Sequence, residues 1–527
     1  MIWQDDMITP NPSLAKSDTK LPFAISMSGI NKRFGLVHAN RDIHLDICKG
    51  DIHGIVGENG AGKSTLVSIL YGFYTADSGK ISLNGTPHHY NSTGDAIAAG
   101  IGMVHQHFML VPNFSVLENI VLGHEGGINL TTSMMKARQM LEDLSQRFGL
   151  NVDLDAKVGD LPVSLQQRVE ILKALYRHAS ILILDEPTGV LTPQETDQLF
   201  DILRMLKDQG VTILLITHKL REIMAVTDRI SVMRDGAMVA HLNTADTCAA
   251  DIAHLMVGRP VLVEKQWHHA DRGEVVVKVS GLSLNSASNE ANPILSPLDF
   301  EVHAGEIFGI AGVAGNGQSE LLELLAGIIP PSGGSIHYHG QRIDAEHPAS
   351  PLDIKSLGVA HVPEDRHASG VILPFSAAEN AILGYENTAT SGKWNIFTSP
   401  ALIHEHCSGL MQDFDVRPPN PHLKSSLFSG GNQQKLVLAR EMSANPSILL
   451  VGQPTRGVDI GAIEFIHHQL ITMRDAGCAI ILVSVELDEI MSLSDRIMVM
   501  NNGKMMDILN RDEAEVQHIG LLMAGVK

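Results

Sequence analysis

Ile52-His-Gly-Ile-Val56-Gly57-Glu-Asn-Gly-Ala-Gly62-Lys63-Ser64-Thr65 is the stretch that decides the fold. The β-branched run Ile52–Val56 reads as a strand and the pattern Thr65–Phe73 as a helix. Between them lies G-x-x-x-x-G-K-[ST], in the strand–loop–helix setting that separates a phosphate loop from an ordinary glycine-rich turn. The chemistry is direct. Glycines let backbone N–H groups close around phosphate oxygens, and the helix N-terminus adds partial positive charge. Lys63 reaches the outer phosphates, and the Ser64 hydroxyl is suited to Mg²⁺. The candidate contacts are Gly57, Asn59, Gly60, Gly62, Lys63, Ser64 and Thr65.

Downstream, Ile181-Leu-Ile-Leu184-Asp185-Glu186 reads as a buried strand ending in two carboxylates. Asp185 can hold Mg²⁺, and Glu186 can orient or deprotonate an attacking water. A solvated acidic turn is the plainer alternative. The order, phosphate loop first and acidic pair later, is the one a nucleotide hydrolase requires.

The chain then repeats itself. Gly50–Gly57 matches Gly305–Gly312, Phe114-Ser-Val-Leu-Glu-Asn119 matches Phe375-Ser-Ala-Ala-Glu-Asn380, and Pro187-Thr188 matches Pro454-Thr455. Asp228-Arg-Ile-Ser-Val-Met233 likewise matches Asp495-Arg-Ile-Met-Val-Met500. Motif order is kept and the offset never shrinks, so two homologous domains stand in tandem, with net insertions in the second. The expected organisation is a loose tail over 1–24, a first domain over 25–258, a connector over 259–273 and a second domain over 274–527. Short apolar runs such as Ile52–Val56, Ile181–Leu184 and Thr212–Ile216 alternate with helical stretches, which indicates an α/β fold with a largely parallel sheet.

Composition bounds the function. With 527 residues the chain is too long for one core, and 44% hydrophobic with 19% charged residues indicates a folded protein. A net charge of −20 speaks against a general nucleic-acid binder. Cys48, Cys248, Cys407 and Cys478 lie far apart and read as buried or free thiols of a reducing compartment. No apolar stretch reaches the roughly 18–20 residues of a membrane span, and Met1–Lys20 lacks an apolar signal core. A cytosolic location is expected, with any membrane role exercised through a partner.

On these motifs the chain resembles the ATP-binding-cassette (ABC) family, nearly over its whole length and twice over. The resemblance implies two tandem P-loop nucleotide-binding domains, each with a mainly parallel core sheet, a β subdomain and a helical signature subdomain. It implies ATP and Mg²⁺ as ligands. Phe34, in Lys32-Arg-Phe-Gly, takes the place of an aromatic that stacks on adenine. Gln106 takes the place of a glutamine that senses Mg²⁺, and His218, in Ile216-Thr-His-Lys, that of a histidine at the γ-phosphate.

The halves are unequal. Ser429-Gly430-Gly431-Asn-Gln433-Gln-Lys435 looks like the family's signature loop, whereas the first half has Pro162-Val-Ser164-Leu-Gln-Gln-Arg168 there. In the second half Gln318 stands where lysine belongs, Gly452-Gln453 where Asp185-Glu186 stand, and Val485 where His218 stands. In ABC proteins each site joins the phosphate loop of one cassette to the signature of the other. The losses then sort into a complete site (Lys63, Asp185, Glu186 and His218 with Ser429–Gly431) and a damaged one (Gln318, Gly452 and Gln453 with Pro162–Ser164). One hydrolytic site is the expectation.

Pro363-Glu-Asp-Arg366, the signature loop and Pro454-Thr-Arg-Gly-Val-Asp459 resemble the double-cassette ATPases of bacterial importers of ribose, other monosaccharides and nucleosides. Gly102–Pro112 with Glu118–Gly123 looks closer to the nucleoside branch. Implied partners are two transmembrane permease subunits and a periplasmic or lipoprotein solute-binding protein, with no nucleic acid. The implied place is the cytoplasmic face of the bacterial inner membrane, held peripherally by the permeases, which would dock at His107–Gly123. The second copy's extra residues fall partly around Pro363–Gly370. The rival reading is a soluble tandem ABC ATPase acting on ribosomes or nucleic acid. One damaged site, a connector of about fifteen residues and the acidic balance disfavour it. His404-Glu-His406-Cys407 has metal-ligand residue types, but alternating residues do not share a helix face.

Overall fold

Runs of isoleucine, leucine and valine with no polar alternation are the pattern of parallel strands buried on both faces. The computed structural model shows them so: Ile52–Gly57, Thr212–Ile216, Ile448–Gly452 and Ala479–Ser484 are buried along their entire lengths. The structure describes residues 23–526 except 36, 91, 106–107, 125–129, 190, 218, 259–267, 269–271, 286–292, 314, 387–398 and 459.

Two compact units emerge. The first holds the chain through Leu161, then Leu165–Pro187 and Asp201–Cys248. The second holds Pro162–Ser164, Thr188–Phe200 and everything from Ala249 onward. Within the second unit Gln194 donates to the Gln517 carbonyl at 3.0 Å, which ties the Thr188–Phe200 segment to it.

Each unit contains a six-stranded sheet. In the first its order is Ile101–Val104, Ile181–Asp185, Thr212–Ile216, Ile52–Gly57, Arg229–Arg234 and Ala237–Asn243, parallel except for the last strand. The second repeats it as Val359–Val362, Ile448–Gly452, Ala479–Ser484, Ile307–Ala311, Arg496–Asn501 and Lys504–Asn510. A four-stranded antiparallel sheet accompanies each, starting from Phe23–Phe34 in one and Val275–Leu284 in the other. Sites in such folds lie at the carboxyl ends of the parallel strands. Both phosphate loops and both acidic-pair positions leave those ends.

The repeated Phe-Ser-x-x-Glu-Asn motif has a structural cause. Ser115 and Glu118 form a capping box at the helix Val116–Val121, and Ser376 and Glu379 do the same at Ala377–Ala381. Asn119 exchanges hydrogen bonds with the Val111 backbone at 2.7 and 3.1 Å; Asn380 does so with Ile372 at 2.8 and 3.0 Å. Part of the second copy's insertion becomes a single π-helical turn, Arg366–Gly370, capped by the Asp365 carboxylate.

Beside the first phosphate loop, His53 is buried and shares Ser231 Oγ, at 2.8 Å, with His241, also at 2.8 Å. Burial, reinforced by His241 and Arg229, pushes the His53 imidazole from 6.5 down to about 3. The unfolded chain therefore takes up this proton first as pH falls. Stability from a neutral His53 is intact above about 6.5 and is lost progressively from there towards about 3. His53→Gln keeps a hydrogen-bonding group and cannot titrate. Its melting temperature is expected to fall less than that of the unsubstituted protein between about pH 7.5 and pH 5, measured by differential scanning fluorimetry; equal falls would refute the assignment.

Candidate functional site

The loop is shaped by what surrounds its glycines. A Cβ on Gly57 would strike the Met233 carbonyl and Ala61, so no side chain fits there. Gly62 has φ +98°, and its carbonyl accepts from the buried Asn40 amide at 3.1 Å. That left-handed residue starts the helix at once, so it runs Lys63–Leu70 rather than the expected Thr65–Phe73. At the other end Tyr71 caps it and Gly72, at φ +80°, turns the chain away.

Lys63 is only 6% exposed. Its ammonium donates to the carbonyls of Gly57 at 2.6 Å and Glu58 at 3.0 Å. Burial lowers its pKa, opposed by the charges of Glu186, Asp185 and Glu58. Ser64 is exposed and Thr65 half-buried on the first turn of the helix.

Asp185 ends the strand Ile181–Asp185, and its carboxyl is pushed up to about 6 by burial first, then by Glu186, against the pull of Lys63. Glu186 sits at φ +47°, its N–H donating to the Ile216 carbonyl at 2.9 Å. Three carboxylates thus face one ammonium, and burial holds one of them back from ionising. A divalent cation is the charge this arrangement lacks, and the Ser64 hydroxyl with the Asp185 carboxylate is the oxygen set a hard cation takes. The residues present fit Mg²⁺.

Phe34 closes the strand Phe23–Phe34 and is 42% exposed. Tyr74 stands edge-on to it at 5.2 Å, and the Lys32 ammonium lies 5.6 Å from the ring. Tyr74 was not foreseen; its only signal was an aromatic pair, Phe73-Tyr74, just past the loop helix. Gln106 and His218 lie outside the described residues.

In the second unit Ser429 caps the helix Gly430–Met442, its hydroxyl accepting from the Asn432 side chain at 2.9 Å. Arg366 packs over Gly430, where a Cβ would lie 2.6 Å from the guanidinium. Gln433 faces inward instead of lining the loop. It donates to the Ser425 and Phe428 carbonyls at 2.9 and 3.3 Å, and its oxygen meets His367 at 2.8 Å. Both ends of this amide are engaged inside the protein.

The second phosphate loop keeps the backbone and changes the chemistry. Gly315 and Gly317 have φ +87° and +98°, against +84° and +98° at Gly60 and Gly62. Gln318 is 4% exposed, with Nε2 unpartnered. Gln453 repeats the φ of +47° and donates its N–H to the Val483 carbonyl at 2.8 Å. Its side-chain oxygen accepts from the Val485 N–H at 3.2 Å.

The ABC transporter family profile matches residues 40–189 and 295–456. Nucleoside import ATP-binding protein NupA of Lactococcus lactis is 43% identical, over 95% of this chain and 98% of its own length. Glucose import ATP-binding protein TsgD13 of Haloferax volcanii is also 43% identical, over 96% of each chain. Among solved structures, archaeal ribosome recycling factor in complex with a ribosomal stalk protein aligns over 92% of this chain and 90% of its own, with a TM-score of 0.61. At 19% identity that likeness is one of fold alone.

The two loop positions are expected to respond unequally. Lys63→Ala should lower steady-state ATPase kcat by about 10²-fold or more, the loss typical of a group aimed at transition-state charge. Gln318→Ala, which removes only a neutral amide, should cost far less. Equal losses would show that both loops hydrolyse.

Proposed function

The chain belongs to the ABC transporter family, as an ATP-hydrolysing import subunit, and from that premise we propose that it energises uptake of a nucleoside through two permease subunits, turning over ATP at the first-half loop. The observation that carries the single-site reading is the asymmetry of the two loops. Lys63, Asp185 and Glu186 meet in the first unit, and Gln318, Gly452 and Gln453 replace them on a matching backbone in the second.

Each residue's part follows from its place. The Lys63 ammonium exchanges two loop carbonyls for the outer phosphate oxygens, which are better acceptors for a cation. Loop N–H groups from Asn59 to Thr65 surround the inner phosphates, and Phe34 stacks on the base. Ser64 and Asp185, with Gln106 as the family resemblance implies, would hold Mg²⁺, which would supply positive charge towards the phosphates. Glu186, turned off the strand by its positive φ, accepts the proton of the attacking water, and His218 contacts the γ-phosphate.

No helix among the described residues is long and apolar enough to cross a membrane, and membrane attachment through permeases is the proposed solution. The exposed apolar side chains Met109, Phe114 and Leu122 flank the helix Val116–Val121 and support docking there. In the proposed assembly this chain lies at the cytoplasmic face of a bacterial membrane, and a solute-binding protein, periplasmic or lipid-anchored, serves the permeases from the opposite side. A nucleoside is preferred to a sugar because Gly102–Pro112 resembles the nucleoside branch and NupA carries that name.

Glu186→Gln in the transporter reconstituted in vesicles should cut kcat by about 10²-fold or more while leaving ATP binding intact. Labelled uridine should enter the unsubstituted vesicles on ATP addition. Uptake of glucose instead would make the solute a sugar, and near-normal turnover in the variant would remove Glu186 from the mechanism.

We also propose that Ser429–Gly431 complete the working site from the second cassette, on the strength of the paired losses in sequence. Cysteines at Ser64 and Ser429, in the Glu186→Gln background without the four native cysteines, should crosslink more with ATP. Crosslinking of Ser64 to Ser164 instead would overturn the pairing.

A further inference from the structure

The second half has lost both carboxylates of the acidic pair, at Gly452 and Gln453, and gained one at Glu364. Val362 pairs with Val451 across adjacent parallel strands, as Val104 pairs with Leu184 in the first half. Counting from these pairs, Gly452 takes the place of Asp185 and Glu364 that of Gln106. The two changes are joined in space. A Cβ on Gly452 would lie 2.9 Å from the Glu364 backbone nitrogen and 3.1 Å from its Cα. The Glu364 backbone occupies the room an aspartate at 452 would need.

Where Glu364 points matters more. Its carboxylate accepts a hydrogen bond from the Ser319 hydroxyl, the counterpart of the metal-suited Ser64. The other carboxylate oxygen lies 3.7 Å from Arg456, an exposed and therefore weak pairing. Against the same loop lies the Gln318 amide, 4% exposed, its Nε2 without a partner and folded close over Gly312. An unmet buried donor inside a phosphate-type cradle points to a missing acceptor.

We propose that Glu364 and Ser319 form a divalent-cation site, so that the second loop takes a nucleoside triphosphate only as its metal complex. Mg²⁺ is usually held by one or two carboxylates together with substrate phosphates. The second half has moved its carboxylate from the end of one strand to the exit of its neighbour. Without a lysine, the phosphates meet a neutral amide at 318 and an anion at 364. A divalent cation is then the charge that reconciles Glu364 with the phosphates, and metal-free nucleotide is rejected. The inference rests on the reading that this chain binds ATP, and it holds however the two halves meet.

The test uses the full chain, Mn²⁺ and the non-hydrolysable AMP-PNP. Lys63→Ala with Asp185→Asn silences the first loop. Electron paramagnetic resonance should still count one nucleotide-dependent Mn²⁺ per chain. Adding Glu364→Gln, which can still accept from Ser319, should weaken that Mn²⁺ at least about tenfold, the low end of what even outer-shell partners cost. Ser319→Ala should do likewise, with unchanged melting temperature as the check on folding. Loss of all nucleotide-dependent Mn²⁺ in the silenced chain overturns the proposal. So does unchanged Mn²⁺ affinity on Glu364→Gln, or tighter metal-free AMP-PNP binding without any change in Mn²⁺, which would make Glu364 an excluder. If the unsubstituted chain binds no Mn²⁺·AMP-PNP, the ATP-binding reading itself fails.

Discussion

The first half is organised around one buried ammonium. Lys63 carries its charge inside a loop where water is nearly excluded, and two main-chain carbonyls are its hydrogen-bond acceptors. Burying a charge is costly unless it is paired. Glu58, Asp185 and Glu186 lower that cost through space, and burial in turn restrains Asp185 from ionising. The site in this state is a compromise between groups that all lose solvent. In the proposed function, phosphates and a divalent cation would resolve the conflict, giving Lys63 better acceptors than loop carbonyls and Asp185 a cation. The glycine geometry, the Asn40 brace and the turn at Glu186 hold these charges where the exchange can occur.

The second half shows what remains when that ammonium is taken away. The loop φ values match those of the first half within a few degrees, and the turn after the acidic-pair strand is unchanged. Backbone geometry therefore belongs to the sheet and its crossovers, whereas chemistry belongs to a few side chains hung upon it. Polar groups left without charged partners are reused as braces, as with Gln453, whose amide now fastens the Val485 backbone.

Much of this was legible in sequence, for a local reason. Buried parallel strands are continuous apolar runs, so Thr212–Ile216 was read to the residue and Ile181–Leu184 to within one. Glycine loops announce themselves because few residues tolerate positive φ. The helix limits were misread because Gly62 and Gly72 act through conformation, not through pattern. The inward aim of Gln433 was not legible, because signature-loop residues look alike in sequence while aim is set by the Ser425–Phe428 turn against which the helix packs. The Ser319–Glu364 contact was invisible for a different reason. It joins the segments that follow Ile307–Ala311 and Val359–Val362, strands that are not neighbours in the sheet, across residues 45 apart.

Gly452 has a consequence for the history of the second half. Gln318 starts a helix as Lys63 does and Gln453 repeats the φ of Glu186, so these two replacements are reversible by side-chain change alone. Position 452 differs, since the Glu364 main chain has closed over the space any β-carbon would need. Return to aspartate would require the neighbouring loop to withdraw first, and that loop is now braced by the Ser319 hydroxyl and the Arg366–Gly370 turn. The divergence of the two cassettes thus works as a ratchet, easy to retrace at Gln318 and Gln453 and sterically locked at position 452.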